Sequence, residues 1–222
     1  MASQSVEDYV KAIYKLQVDD ENVTTSALAA RVRTSPAAVT KMLRHLQKLK
    51  LVTYTPYRGV RLTEGGEKVA LEVIRHHRLL ERYLVEALGY DWDQVHAEAE
   101  RLEHHISEDF EARIDRVLGF PTACPHGDPI PAADGSMARR EDRPLASESP
   151  PAQLVVRRVR DNDPQLLQYL KERGLIPGTV ITLVETEPFE GPLVLKIGEA
   201  IVRVARQAAQ GVFVSRAGEN GA

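Results

Sequence analysis

The sequence predicts an α+β protein, mainly helical: a winged helix-turn-helix, then long helices, then a small β-barrel. Three observations predict it. Three successive segments within the first 50 residues carry apolar residues at helical spacing and are followed by an alternating stretch around Pro56 to Gly59. Two further helical patterns run from Thr63 to Gly89 and through residues 95–111. Beyond residue 152 the texture changes to short β-branched runs separated by Gly and Pro turns.

The elements follow in order. In SVEDYVKAIYKLQ, Val6, Tyr9, Val10, Ile13 and Leu16 recur every three to four residues, which makes one helix before the polar DDEN. In TTSALAARVRT, Thr24 or Thr25 is a capping residue and Leu28, Ala29 and Val32 face inward. SPAAVTKMLRHLQKLKLV opens with Ser35 as cap and Pro36 at the first helical position, where its missing N–H costs nothing. LVTYTPYRGVRLT then reads as a β-hairpin. Helix, helix, helix, hairpin is the order of a winged helix-turn-helix, with the Ser-Pro helix as the recognition helix. From Thr63 a capping start leads into LEVIRHHRLLERYLVEAL, which ends at Gly89. The proline-rich residues 121–152 read as a linker. QLVVRRVRD, TVITLVETE, GPLVLKIGE, AIVRVAR and GVFVS read as strands, with PQLLQYLKERG as a helix between the first two.

With 222 residues, 43% of them hydrophobic, the chain has material for two or three cores. No apolar run approaches the roughly 20 residues of a membrane span, and the first ten residues lack a signal-peptide pattern, so the expected location is cytoplasmic and no membrane partner is expected. A single cysteine, Cys124, excludes an internal disulfide framework and a thiolate-rich zinc site, and it reads as structural. The net charge of −3 hides an asymmetry: residues 1–66 hold ten Lys/Arg against six Asp/Glu, while residues 71–120 hold six against twelve. The first region suits a polyanion. The second, with five of the seven histidines, suits a divalent cation.

The densest chemistry lies in VHAEAERLEHHISEDFE, residues 95–111. On a helix, His96, Glu100 and either Glu103 or His104 fall on one stripe. A solvated helix face is the ordinary explanation of such a pattern. A carboxylate-bridged metal oxidase would need Glu-x-x-His pairs, yet Arg101 and Leu102 stand three residues before His104 and His105. The zinc-hydrolase patterns are absent too, since Glu100 occupies the place where H-x-x-E-H needs histidine.

Read together, EDYVKAIYKL, SPAAVTKMLRHL, YRGVRLTEGG, IRHHRLLERYL, VHAEAERLEHHIS and CPHGDPIP resemble, in order and spacing, the metal-dependent repressors of the diphtheria toxin repressor and manganese transport regulator family. The resemblance covers the whole chain. It implies a DNA-binding domain over 1–66, a helical metal-binding and dimerisation domain over 67–120, the linker over 121–152 and an SH3-like, FeoA-like barrel over 153–217. It implies a primary metal site of Asp8, Glu100, Glu103 and His104 and an ancillary site of His77, Glu81 and His96. Iron-type members look to have methionine and cysteine where Asp8 and Glu100 stand; two oxygen donors there favour Mn²⁺, with Fe²⁺ next. Asp161 and Asp163 are weaker candidates from the C-terminal domain. His76 and His105 read as surface residues or supports of the ligands, and His45 as a surface or phosphate contact.

One departure stands out. Lys11 occupies a position where manganese-type members have glutamate, and its ammonium is expected to pair with Asp8 or Glu100 when no metal is bound. The implied function is a homodimeric, metal-dependent transcriptional regulator, not an enzyme, repressing metal-uptake genes from an inverted-repeat operator. Base reading is expected from Ser35, Pro36, Ala37, Thr40 and Lys41, with Arg44 among the residues that meet phosphates and Arg58 and Arg61 of the wing on the backbone or minor groove. The alternatives are a metal-carboxylate enzyme and a metal-independent winged-helix regulator. Removal of Glu103 is expected to abolish the metal response and leave the fold intact.

Overall fold

The computed structural model describes residues 3–18, 22–138 and 141–218. Two compact units divide the chain. The first comprises Met1–His77, Leu102–Ser107 and Pro131–Ser136; the second comprises Arg78–Arg101, Glu108–Ile130 and Met137–Ala222. No helix among the described residues is long and apolar enough to cross a membrane.

The first unit begins with α1 (Gln4–Gln17), α2 (Thr25–Arg31) and α3 (Pro36–Lys48). Thr24 caps α2 by accepting from the Ala27 N–H, and Ser35 caps α3 by accepting from the Ala38 N–H. On α3, Val39, Leu43 and Leu46 recur at i, i+4 and i+7 and are fully buried against Val6, Val10 and Ile13 of α1 and Leu28 of α2. Ala37, Lys41, Arg44 and Lys48 occupy the exposed face. Truncating Leu43 to alanine is therefore expected to cost about 2–5 kcal/mol, since the transfer loss and a cavity add.

The hairpin pairs β1 (Val52–Thr55) with β2 (Gly59–Leu62) in the register Val52↔Leu62 to Thr55↔Gly59. Val23 adds an antiparallel bridge to Val60. Gly59 lies at φ +105, and a Cβ there would stand 2.9 Å from the Val23 carbonyl oxygen, so only glycine brings the wing this close. Then comes α4 (Glu64–Leu88), whose residues divide between the units at His77 and Arg78.

Residues 95–111 are not one helix. α5 covers Val95–Leu102, a turn carries Glu103 to His105, and α6 covers Glu108–Val117. The restart has a local cause: Ser107 precedes α6, and Glu108, Asp109 and Glu111 fill its first turn, where anionic side chains meet the free backbone N–H groups.

The rest of the second unit is a six-stranded antiparallel sheet ordered β3-β8-β4-β5-β6-β7. Its strands are β3 (Arg143–Pro144), β4 (Ala152–Val159), β5 (Val180–Thr186), β6 (Leu193–Ile197), β7 (Ala200–Val204) and β8 (Val212–Arg216). α7 (Pro164–Glu172) follows β4, and α8 (Arg206–Ala209) follows β7. Alternating residues of β4, Leu154 and Val156, join Leu167 and Leu170 of α7 and Ile181 and Leu183 of β5 in one core. The residues expected to form a linker contribute Leu145, fully buried in that core. They also hold Asp142, whose carboxylate accepts from the Arg158 guanidinium at 2.8 and 3.0 Å.

Candidate metal centre

In the first unit α1 and the turn after α5 build a cluster around Glu103, whose side chain is fully buried. Lys11 of α1 donates from Nζ to both Glu103 carboxylate oxygens at 2.7 Å. Glu103 is thus a partner of Lys11 that the sequence reading did not name. His77 Nδ1 stands 2.6 Å from Glu103 Oε2, and His76 Nδ1 lies 3.1 Å from the Glu103 backbone oxygen. The imidazole of His104 reaches α1 from both nitrogens: Nδ1 is 2.6 Å from Glu7 Oε2, and Nε2 is 3.0 Å from Asp8 Oδ1. Nε2 is also 3.3 Å from Glu103 Oε1.

These distances specify what the cluster can hold. Both nitrogens of His104 thus face carboxylate oxygens, so a cation among Asp8, Glu103 and Nε2 would meet an imidazole already oriented from its other side by Glu7. Asp8, Glu103 and His104 each offer a donor atom, all within 4.8 Å of one another. Two hard oxygens and one imidazole nitrogen suit Mn²⁺ or Fe²⁺.

In the second unit the buried Glu81 of α4 is the shared residue. Its Oε1 is 3.0 Å from His96 Nδ1, and its Oε2 is 3.3 Å from His126 Nδ1. His126 donates from Nε2 to the Trp92 carbonyl at 2.7 Å, which orients the ring and turns Nδ1 toward Glu81. The Trp92 ring stacks on that imidazole at 5.5 Å between centroids. Burial alone would lower the His126 pKa, but the hydrogen bond and charge of Glu81, the Trp92 carbonyl and Asp161 override it and raise it from 6.5 to about 9. Cys124 joins Glu81 and His126 with donor atoms within 4.8 Å of one another. Burial, then the charges of Glu81 and Asp128, push its thiol well above the ordinary range, so a cation is needed to hold it as thiolate. Asp161 adds a carboxylate 3.7 Å from His96 Nδ1, and Glu100 lies 3.7 Å from His96 Nε2.

A clipped turn aims Cys124 and His126. The Cys124 N–H donates to the Asp128 carbonyl and the Gly127 N–H to the Cys124 carbonyl, both at 2.9 Å. Arg82 donates to the Ala123 carbonyl, and Arg78 donates to the Pro129 carbonyl and pairs with Asp128. Gly127 lies at φ +87, and a Cβ there would sit 2.0 Å from the Arg157 carbonyl oxygen of β4. Any side chain would push the turn off the strand.

The structure therefore brings Asp8, Glu103 and His104 together in one unit, with His77 beside Glu103, and places Glu81 and, more loosely, Glu100 against His96 in the other. Sequence reasoning missed Glu7, Cys124 and His126 as members. The Cys-x-His spacing inside a Pro/Gly turn was the available signal for the last two. Asp163, weighed as a ligand, caps α7 by accepting from the Gln165 and Leu166 N–H groups. His45 and His105 are exposed.

Of the expected DNA-reading residues, Ser35, Pro36, Ala37, Lys41 and Arg44 of α3 and its cap are exposed, as are Arg58 and Arg61 of the wing. Thr40 is half-buried, with its hydroxyl on the Pro36 carbonyl at 2.9 Å.

A winged helix-turn-helix that shares its first helix with a carboxylate and histidine cluster defines a class: metal-dependent transcriptional repressors, which are not enzymes. Residues 1–60 match the family described as iron dependent repressor, N-terminal DNA binding domain; residues 63–132 match its metal binding and dimerisation domain; residues 143–216 match the FeoA domain. The iron-dependent repressor IdeR of Mycobacterium tuberculosis (strain ATCC 25618 / H37Rv) is 33% identical over 227 residues, spanning 96% of this chain and 97% of that protein. The diphtheria toxin repressor of Corynebacterium glutamicum is 29% identical over 193 residues, 82% of this chain and 85% of that one. Among solved structures, a manganese-dependent transcriptional repressor in complex with manganese superposes at a TM-score of 0.89 with 38% identity, covering 96% of this chain and all of the other. ScaR with bound Cd²⁺ gives a TM-score of 0.80 at 34% identity, covering 96% of this chain and 99% of the other. The chain belongs to the diphtheria toxin repressor and manganese transport regulator family, in its form with a C-terminal FeoA, SH3-like domain. Regulators of this family bind DNA and dimerise through the dimerisation domain.

Proposed function

We propose that this chain is a cytoplasmic homodimeric repressor of metal-uptake genes, bound to an inverted-repeat operator when loaded with Mn²⁺, or with Fe²⁺ as the next best ion. The observation that carries this reading is the reach of His104 and Glu103 to α1: residues outside the winged helix-turn-helix meet its first helix at Asp8, Glu7 and Lys11. A bound ion supplies positive charge among Asp8, Glu103 and His104, where carboxylates otherwise repel. Glu7 orients His104, and Asp8 ties the reading head to the metal-sensing turn. Glu81, Cys124 and His126, with His96, Glu100 and Asp161 beside them, form a second set in the other unit; His77 adjoins Glu103 in the first.

DNA and metal then stabilise each other by one coupling free energy, typically about 1–3 kcal/mol. Base recognition falls to the exposed start of α3, and Lys41, Arg44, Arg58 and Arg61 neutralise phosphates. The test is an electrophoretic shift of duplex DNA from upstream of the chain's own coding sequence and of neighbouring metal-transport genes. A shift that requires added Mn²⁺ or Fe²⁺ and is reversed by chelator supports the reading. Equal binding with ion and with chelator would favour a metal-independent regulator.

A further inference from the structure

Lys11 is 5% exposed, and both oxygens of a fully buried carboxylate lie 2.7 Å from its ammonium. A lysine placed so deep persists only with a partner, because an isolated buried ammonium pays a large desolvation cost. Glu103 has the same need. The pair joins α1 to the turn after α5, the connection that the metal-holding residues Asp8 and His104 also span.

We propose that the Lys11 ammonium is a resident cation: it takes the place of one metal charge in this cluster, holds α1 to Glu103 before any ion arrives, and limits the cluster to a single divalent ion. The inference rests on the reading of Asp8, Glu103 and His104 as the metal-holding set. The contacts of Glu103 carry it: the ammonium spans both of its carboxylate oxygens.

A carboxylate has about four lone-pair sites. Those of Glu103 face Lys11 and His104 at Oε1, and Lys11 and His77 at Oε2. Asp8, Glu103 and His104 would hold an ion through the His104 side of Oε1, and both Lys11 contacts would stay in place. Lys11 thereby serves as a positioning residue: it keeps Glu103 aimed at the metal-holding side chains.

The experiment has two arms on the full chain. In the first, chelator-treated Lys11→Met, Lys11→Arg and the double variant Lys11→Met/Glu103→Gln are melted beside the parent. Lys11→Met leaves the Glu103 charge buried alone and is expected to lower the unfolding transition by about 10 °C, the double variant to recover most of that, and Lys11→Arg to stay near the parent. If Lys11→Met does not fold, the recovery in the double variant still decides the matter. A parent-like melt for Lys11→Met, or no recovery, would overturn the resident-cation role.

In the second arm, native mass spectrometry counts Mn²⁺ per chain. Lys11→Glu replaces the ammonium with a carboxylate donor and is expected to bind one more Mn²⁺ than the parent. An unchanged count overturns the one-ion limit. A parent that binds no Mn²⁺ would instead remove the metal reading of the cluster, whereas the melting arm would still judge the pair.

Discussion

Glu81→Gln tests the second cluster where the numbers are clearest. Glu81 is fully buried, and its Oε2 lies 3.3 Å from His126 Nδ1. The substitution keeps the side chain's size and removes its charge. In the parent the surroundings raise the His126 pKa from 6.5 to about 9, on the order of 3 kcal/mol in favour of the imidazolium. A raised folded-state pKa gives stability that is fully present below 6.5 and lost as pH climbs through about 9. Without Glu81, burial is opposed only by the Trp92 carbonyl and Asp161, so most of that contribution goes. The thiol of Cys124 acts in the same direction: Glu81 raises its pKa, which costs the parent stability at alkaline pH and spares the variant. Metal-free thermal melts at about pH 6 should therefore place the variant about 6–12 °C below the parent, and the gap should close above about pH 9. A gap that is equal at both pH values, or wider at the alkaline one, would refute the assignment of His126 as a cation held by Glu81.

Four further outcomes follow from the same contacts. Cys124→Ser should weaken Zn²⁺ and Co²⁺ relative to Mn²⁺, because a hydroxyl replaces a soft donor; competition titrations read by Trp92 fluorescence, beside His126, check the order. Gly127→Ala should displace the turn from β4 and weaken metal binding by about 10–100-fold, the usual effect of losing support behind ligands, measured by calorimetry. Lys41→Ala or Arg61→Ala should lower DNA affinity and reduce the slope of log affinity against log salt by about 1, since each removes one phosphate neutralisation. Glu103→Ala should destabilise the metal-free chain by about 3–5 kcal/mol, contrary to the expectation of an intact fold, because it strands the Lys11 ammonium; chemical denaturation reads the loss.

The winged helix-turn-helix was legible because each of its decisions is local. Ser35 and Pro36 start the recognition helix, Val39, Leu43 and Leu46 orient it, and the Pro56 to Gly59 turn closes the wing. The barrel strands were legible for the same reason, from alternation between glycines and prolines. The break at Glu103 was not, since the Glu and His spacing continues a helical period through it; only Ser107 and the acids after it mark the restart. The clusters are nonlocal. Nothing near Lys11 in sequence announces a partner 92 residues away, and Cys124 with His126 looked like one more proline turn until Glu81 met them.

The central claim, that metal and DNA act on one equilibrium, is tested most directly by measuring the chain's affinity for Mn²⁺ with and without a bound operator duplex. Linkage requires the duplex to tighten Mn²⁺ by the same factor by which Mn²⁺ tightens the duplex, about 5–150-fold for a typical coupling. Agreement of the two ratios is the predicted result. A Mn²⁺ affinity unmoved by saturating duplex would contradict the account.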